Sequence, residues 1–242
     1  MSKEPSRKPP SPAEPVTLLR KVEIRECGEK LVPFLGIHKQ IIQAKPRWKY
    51  ERLSLARESV VEALVVAANA LPKSYKLAVI EGWRPPHIQR RMWLGSYARW
   101  KSRHPEYSEA ALKRITNRFT APIHSKVPPP HSTGGAVDIM LADENGKELD
   151  MVSPFAVRDR RIYPTNATGL SEAAAKHRRI LYEAVSQSAL TNYPSEYWHW
   201  SYGDQGWCYR GEREFALYGP VTPDGFHPDP AEAIDEPLEF LL

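Results

Sequence analysis

The hydrophobic residues of this chain recur with two different periods. Between Leu55 and Leu71, the residues Val60, Val61, Leu64, Val65, Ala68 and Leu71 return at helical spacing and Pro72 stops the run, which predicts an amphipathic core helix. Lys76 to Glu81 reads as a buried strand that runs into Gly82-Trp83-Arg84-Pro85-Pro86. Proline is favoured just inside a helix start, so a second helix is expected from Pro85 to about His104 and a shorter third over Ser108 to Arg118. From Ala136 the period drops to two. Val137, Ile139 and Leu141 fall on one face of a strand, and Asp138 falls on the other with Ala136 and Met140. Asp143 to Gly146 is a turn signal, and 152 to 167 reads as an irregular loop. Ser171 is a good N-cap for a stripe through Ala173, Ile180, Leu181, Ala184 and Val185, carried to about Leu190. An aromatic strand entered from a turn lies within Tyr193 to Gly203, Phe215 to Tyr218 predicts a last strand, and short apolar pieces in Val16 to Leu35 fit another. Helix and strand mix here without regular βαβ alternation, which argues an α+β fold in a single domain.

Composition narrows this picture. A length of 242 residues allows one sizeable core. The 23 prolines are roughly double the usual ~5%, so long loops and tails are expected. Residues 1–15 read as a disordered proline-rich tail and 221–242 as an acidic C-terminal tail, leaving 16–220 as the folded domain. No apolar run reaches the length of a membrane span, and Met1 to Pro15 lacks the apolar stretch of a secretory signal. Cys27 and Cys208 are too few for a disulfide framework. A cytoplasmic protein without a membrane partner is the expectation. The net charge of +5 comes from scattered clusters at Arg90-Arg91, Arg158 to Arg161 and Lys176 to Arg179, the last reading as a solvated helix face. No nucleic-acid-binding signature accompanies them, so nucleic acid is not an expected partner.

The candidate chemistry gathers around Pro130-His131-Ser132-Thr133-Gly134-Gly135-Ala136-Val137-Asp138. A carboxylate on a strand is rigidly held, and the two glycines can turn His131 back towards it. His199, on the aromatic strand, is the best third ligand. His131, Asp138 and His199 then offer nitrogen, oxygen and nitrogen, leaving a fourth position for water as in catalytic zinc sites. Glu196, three residues before His199 at the turn, hangs naturally beside the metal as general base and acid. Arg84, at a strand-to-helix junction, can face a developing oxyanion.

These residues resemble the D-alanyl-D-alanine dipeptidases of the vancomycin-resistance type. Those are zinc peptidases sharing a fold with D-alanyl-D-alanine carboxypeptidases and the Hedgehog signalling domain. The matching pieces are Gly82-Trp83-Arg84-Pro85, the H-x(2)-G-x-A-x-D segment from His131 to Asp138, and Glu196-Tyr197-Trp198-His199. Ser201 to Trp207 resembles the family's strand after the last ligand, and the likeness covers roughly residues 16 to 220. It implies a central antiparallel sheet flanked by helices, and one zinc ion per chain on His131, Asp138 and His199. It also implies Glu196 as catalytic base and acid, Arg84 as transition-state stabiliser, and a small cell-wall dipeptide as substrate. The chain departs from the family pattern with Pro129 in place of a serine and Glu81 in place of an aspartate. It also carries Ala156 where the family tends to hold the dipeptide's amino group with an aspartate; Asp159 is the nearby candidate to replace it. Altered or relaxed specificity around an intact metal centre is therefore expected. Three other functions fit the same residues. One is an iron oxygenase using the triad with Arg210 as its 2-oxo-acid anchor. The others are a zinc amidase or carboxypeptidase on another peptide, and a binding module that keeps zinc for structure.

Overall fold

A computed structural model of the chain describes residues 14–122 and 125–241. The expected N-terminal tail before Glu14, and His124, lie outside the described residues. The chain begins with α1 (Val16–Leu19), β1 (Glu23–Ile24), β2 (Leu31–Pro33) and β3 (Ile41–Gln43), and β4 (Leu55–Arg57) leads directly into α2 (Glu58–Ala70). Next come β5 (Tyr75–Glu81), α3 (Pro86–Arg103) and α4 (Glu109–Thr116), then a 3-10 turn, Pro130–Thr133, that opens onto β6 (Ala136–Asp143). A second 3-10 turn, Arg160–Ile162, precedes α5 (Glu172–Val185), β7 (Thr191–Asn192), β8 (His199–Ser201), α6 (Gln205–Arg210) and β9 (Phe215–Ala216).

The main sheet has the order β3-β5-β6-β8-β7. Its β5, β6, β8 and β7 are antiparallel neighbours, while edge strand β3 runs parallel to β5. The expected antiparallel centre is present, with a parallel edge added. Two short ladders, β2 with β4 and β1 with β9, stand apart from it. The period-two reading of β6 holds: Val137, Ile139 and Leu141 are fully buried in one cluster with Val60 and Leu64 of α2, Leu77 and Val79 of β5, and Leu181 of α5. Each such side chain contributes about 1.5–3 kcal/mol by leaving water, so the strand that carries Asp138 is firmly anchored in the core.

Several boundaries differ from the sequence reading, each for a local reason. The helix expected from Leu55 starts at Glu58, because Leu55–Arg57 is drawn into the ladder with β2. Arg57 is itself buried and donates to the Thr133 carbonyl at 2.8 Å and to Glu26 at 3.0 Å. α5 begins at the expected N-cap, Ser171, whose side chain accepts from the Ala174 N–H, but it ends at Val185 rather than near Leu190. Only His199–Ser201 of the aromatic stretch is strand. The segment from Ser201 to Trp207 does not continue as one: Gly203 adopts φ +73° and Asp204 caps α6 by accepting from the Trp207 N–H at 2.6 Å. The last strand is limited to Phe215–Ala216.

Lys176 to Arg179 is not a uniformly solvated face. Arg178 is buried and donates to the carbonyls of Met151, Ile162 and Pro164 at 2.8, 2.7 and 3.0 Å, with its guanidinium 3.7 Å over the Tyr197 ring. The irregular loop expected over 152–167 therefore hangs from α5 at its two ends. The C-terminal stretch runs back along α3. Arg90 pairs with Asp235, Leu238 is buried, and Phe240 bridges to Trp48 with ring centroids 4.9 Å apart. No helix among the described residues is long and apolar enough to cross a membrane.

Candidate metal centre

β6 is the spine of the site, and its register places the neighbours. Asp138 lies opposite His199 of β8 on one side and opposite Glu81 of β5 on the other, where the β5 ladder shifts register between Val79 and Glu81. His131 is delivered by the 3-10 turn before β6. Gly134 closes that turn at φ +70°, and a Cβ there would come within 2.3 Å of Leu31. Only glycine suits both the left-handed backbone and the close approach.

The three donors converge. One ligand atom from each of His131, Asp138 and His199 lies within 4.8 Å of the others. His131 Nε2 and His199 Nδ1 stand 3.3 and 2.9 Å from the same oxygen, Asp138 Oδ1. The other nitrogen of His131, Nδ1, is 2.9 Å from the Gly82 carbonyl. A carbonyl can only accept, so Nδ1 carries a proton and Nε2 is the nitrogen that faces the cluster. Burial alone would raise the Asp138 carboxyl, but His131 and His199 override it and hold it well below the usual carboxylate range. The His199 imidazole is disfavoured as a cation by burial, yet Asp138 and Glu196 carry its pKa above the usual value. Two imidazoles and a carboxylate aimed at one point are the donor set that fits zinc or iron.

The Gly-Trp-Arg-Pro segment is explained by what surrounds it. A Cβ on Gly82 would meet the Leu55 carbonyl at 2.5 Å, and Trp83 is fully buried with its Nε1–H donating to Val221 at 2.8 Å. This fixes Arg84, whose N–H donates to the His131 carbonyl at 3.1 Å. Its guanidinium reaches Glu81 at 3.4 Å and Gln89 at 2.8 Å, and lies 3.9 Å from Asp138 Oδ2. Gln89, one turn into α3, was not singled out from the sequence; a helical glutamine carries no signal until the fold aims it at the arginine.

Glu196 lies in the turn between β7 and β8. Asn192 Nδ2 holds that turn by donating to the carbonyls of Glu196, Tyr197 and His199 at 3.2, 3.4 and 3.1 Å. Enclosure of its carboxyl pushes Glu196 up, and although His199 and Arg84 oppose this, the pKa stands at about 7. Glu196, Arg84 and the three donors line one cavity of about 870 Å³. The same cavity is also lined by a face of α3 bearing Gln89, Met92, Ser96, Arg99, Trp100 and Arg103 at helical spacing.

Two residues considered from the sequence are engaged elsewhere. Arg210 donates to Thr191 Oγ1 at 2.9 Å and Ser201 Oγ at 2.6 Å and pairs with Glu14, so it is not a free anchor for a 2-oxo acid. Asp159 caps the 3-10 turn and pairs with Arg161 at 2.5 Å, rather than replacing an acid at Ala156.

A half-buried carboxylate between two imidazoles, with an acid and an arginine at the same cavity, defines a metallopeptidase type of centre. A family model described as D-ala-D-ala dipeptidase matches residues 39–216, and the chain belongs to that family of metallopeptidases. This displaces the oxygenase and binding-module readings. A D-alanyl-D-alanine dipeptidase of Synechocystis sp. is 26% identical over 235 residues, covering 83% of this chain and 95% of that protein. Among solved structures, a vancomycin-resistance D,D-pentapeptidase, VanY, in complex with Zn(II) is 20% identical, with 73% of this chain and 90% of that one covered at a TM-score of 0.39. The LD-carboxypeptidase LdcB is 18% identical, with 78% and 76% covered at a TM-score of 0.36.

Proposed function

We propose that this protein is a zinc-dependent dipeptidase that hydrolyses the amide bond of D-Ala-D-Ala or a related small dipeptide. His131, Asp138 and His199 hold the metal, one ion per chain. The observation that carries the reading is the shared oxygen of Asp138 between two imidazole nitrogens, with Glu196 and Arg84 at the same cavity. A zinc ion held there would supply Lewis acidity, the property that makes water a nucleophile near neutral pH. Glu196, poised at about 7, accepts the proton of the attacking water and returns it to the leaving amine. Arg84, buried and held by Glu81 and Gln89, meets the negative charge that develops on the carbonyl oxygen without reorganising. The free thiols of Cys27 and Cys208 suit a reducing compartment such as the cytoplasm.

The test is release of free D-alanine from D-Ala-D-Ala by the purified protein, with metal content determined and Glu196→Ala as control. Glu196-dependent release with about one zinc per chain is the expected result. Iron in the purified protein, or release that survives Glu196→Ala, would overturn the mechanism.

A further inference from the structure

The cavity is larger and more cationic than a dipeptide requires. A volume of about 870 Å³ is of the size that ordinarily takes a drug-sized ligand, and two alanines fill little of it. Away from the metal centre, Arg99 and Arg103 of α3, Arg118 beyond α4, and Arg158 and Arg160 of the loop all contribute to its lining. None of the five makes a side-chain hydrogen bond or ion pair with a described residue. Arg158 and Arg160 are not loose. The guanidinium of Arg158 lies 3.6 Å over the Phe240 ring, and that of Arg160 lies 3.7 and 4.1 Å over the rings of Phe119 and Trp100. Partial burial and the neighbouring arginines lower the pKa of both. The carboxylates of the same cavity, such as Asp138 and Glu196, belong to its metal end, whereas these five like charges have no acid paired with them, and a patch of one sign focuses its field on an incoming ligand of the other sign.

Tyr163 joins this cluster to the catalytic end. Burial raises its hydroxyl, Glu196 raises it further, and Arg160, Arg99 and Arg158 lower it. Its ring packs edge-on against Trp198, one residue before His199, at 5.0 Å. A substrate lying across Tyr163 would reach from Glu196 to the arginines.

We propose that Arg99, Arg103, Arg118, Arg158 and Arg160 form a subsite for an anionic group, a carboxylate or phosphate, that the substrate carries in addition to its own C-terminal carboxylate. Guanidinium groups suit both anions through paired N–H donors. One terminal carboxylate needs one such partner, and five point to a further charge. The proposal rests on the dipeptidase reading and names its substrate class: a short peptide extended by an acidic acyl or phosphoryl group.

Paired probes test it. N-succinyl-D-Ala-D-Ala and N-acetyl-D-Ala-D-Ala differ by one carboxylate, and their kcat/KM ratio is measured for the wild type and for the Arg158→Gln/Arg160→Gln protein, with Arg103→Gln as a second variant. The wild type should favour the succinyl probe by about tenfold or more, equivalent to about 1.4 kcal/mol, and the ratio should fall towards one in the variants. Equal rates on both probes, or a preference that survives both variants, would overturn the subsite. Calorimetric titration with succinate and with inorganic phosphate shows which anion is preferred and does not depend on turnover. If no probe is hydrolysed but an anion binds saturably in the wild type and about tenfold more weakly in the variants, the dipeptidase reading fails and the subsite stands. Absence of saturable binding, or binding indifferent to the variants, removes the subsite whatever the enzyme hydrolyses.

Discussion

The two ends of the cavity are built in different ways. At the metal end every group is fixed by the sheet or by a turn closed on it. Asp138 sits in register between His199 and Glu81, His131 is tied through Nδ1 to Gly82, and the Glu196 turn is gathered by one asparagine. At the far end, two of the arginines hang on a loop whose middle is closed by local turns, such as Phe155 to Val152 and Asp159 to Ala156, and whose ends are tied by backbone bonds, Ser153 to Ser171 and Tyr163 to Tyr197. The side chain of Arg178 adds three more bonds between that loop and α5. The first construction suits chemistry that tolerates little displacement; in the second, the side chains between the tied ends of the loop can change with the substrate while the ligands stay on the sheet.

This contrast can be broken most directly at the sheet. Asp138→Asn removes the charge that both imidazoles share, and changes around metal ligands already cost about 10–100-fold in affinity. We expect loss of bound metal and of peptidase activity together, read by metal analysis and D-alanine release; a variant that keeps both would remove Asp138 from the centre. Glu196→Gln should lower kcat by about 10²–10⁴-fold while metal content stays at the wild-type level. In the wild type, kcat/KM should rise with pH along a limb whose midpoint lies at or below about 7, because the base works deprotonated and bound metal draws its pKa down. That limb should be missing from the residual activity of Glu196→Gln.

Arg84→Lys keeps the charge but loses the fork that bonds Glu81 and Gln89. A loss of about 10²–10³-fold in kcat is expected from a single oxyanion donor, with metal retained. A loss confined to KM would instead make Arg84 a ground-state binder. The smallest effect on the chemistry belongs to Arg178→Ala. It leaves three carbonyls without their donor, at about 1–3 kcal/mol for each that stays dry, so thermal stability falls and KM rises. Metal content should not change, and a variant that lost its metal would show that the loop and the centre are one unit.

The metal end was legible in the sequence because its information is local. A histidine, a glycine turn and an aspartate on a period-two strand can be read from one segment, and Glu196 with His199 from another. The far end was not. Arg158 and Arg160 appear in the sequence as one of several scattered basic clusters, and only the fold gathers them with Arg99, Arg103 and Arg118. Phe240 belongs to a stretch whose acidic, proline-bearing composition suggests a tail, yet it bridges to Trp48 and lines the cavity. Arg178 sits in a basic run on a helix, and nothing in its spacing says that it turns inward to three loop carbonyls. The boundaries missed at Leu55–Arg57 and after Ser201 have the same cause: a strand partner distant in sequence took the first, and the Asp204 cap redirected the second.

The pairing of Asp138 with His199 sets a condition on how this protein comes together. Side chains alternate along a strand, so sliding β8 by one residue against β6 would carry His199 out of the cavity and bring Trp200 in. Trp200 is almost fully buried among the core residues, where its Nε1–H donates to the Tyr197 carbonyl at 3.2 Å. The indole on one face and the ligands on the other thus accept only one alignment. A bulky apolar side chain sets the register of a metal donor, because burying the indole and presenting the imidazole require the same alignment.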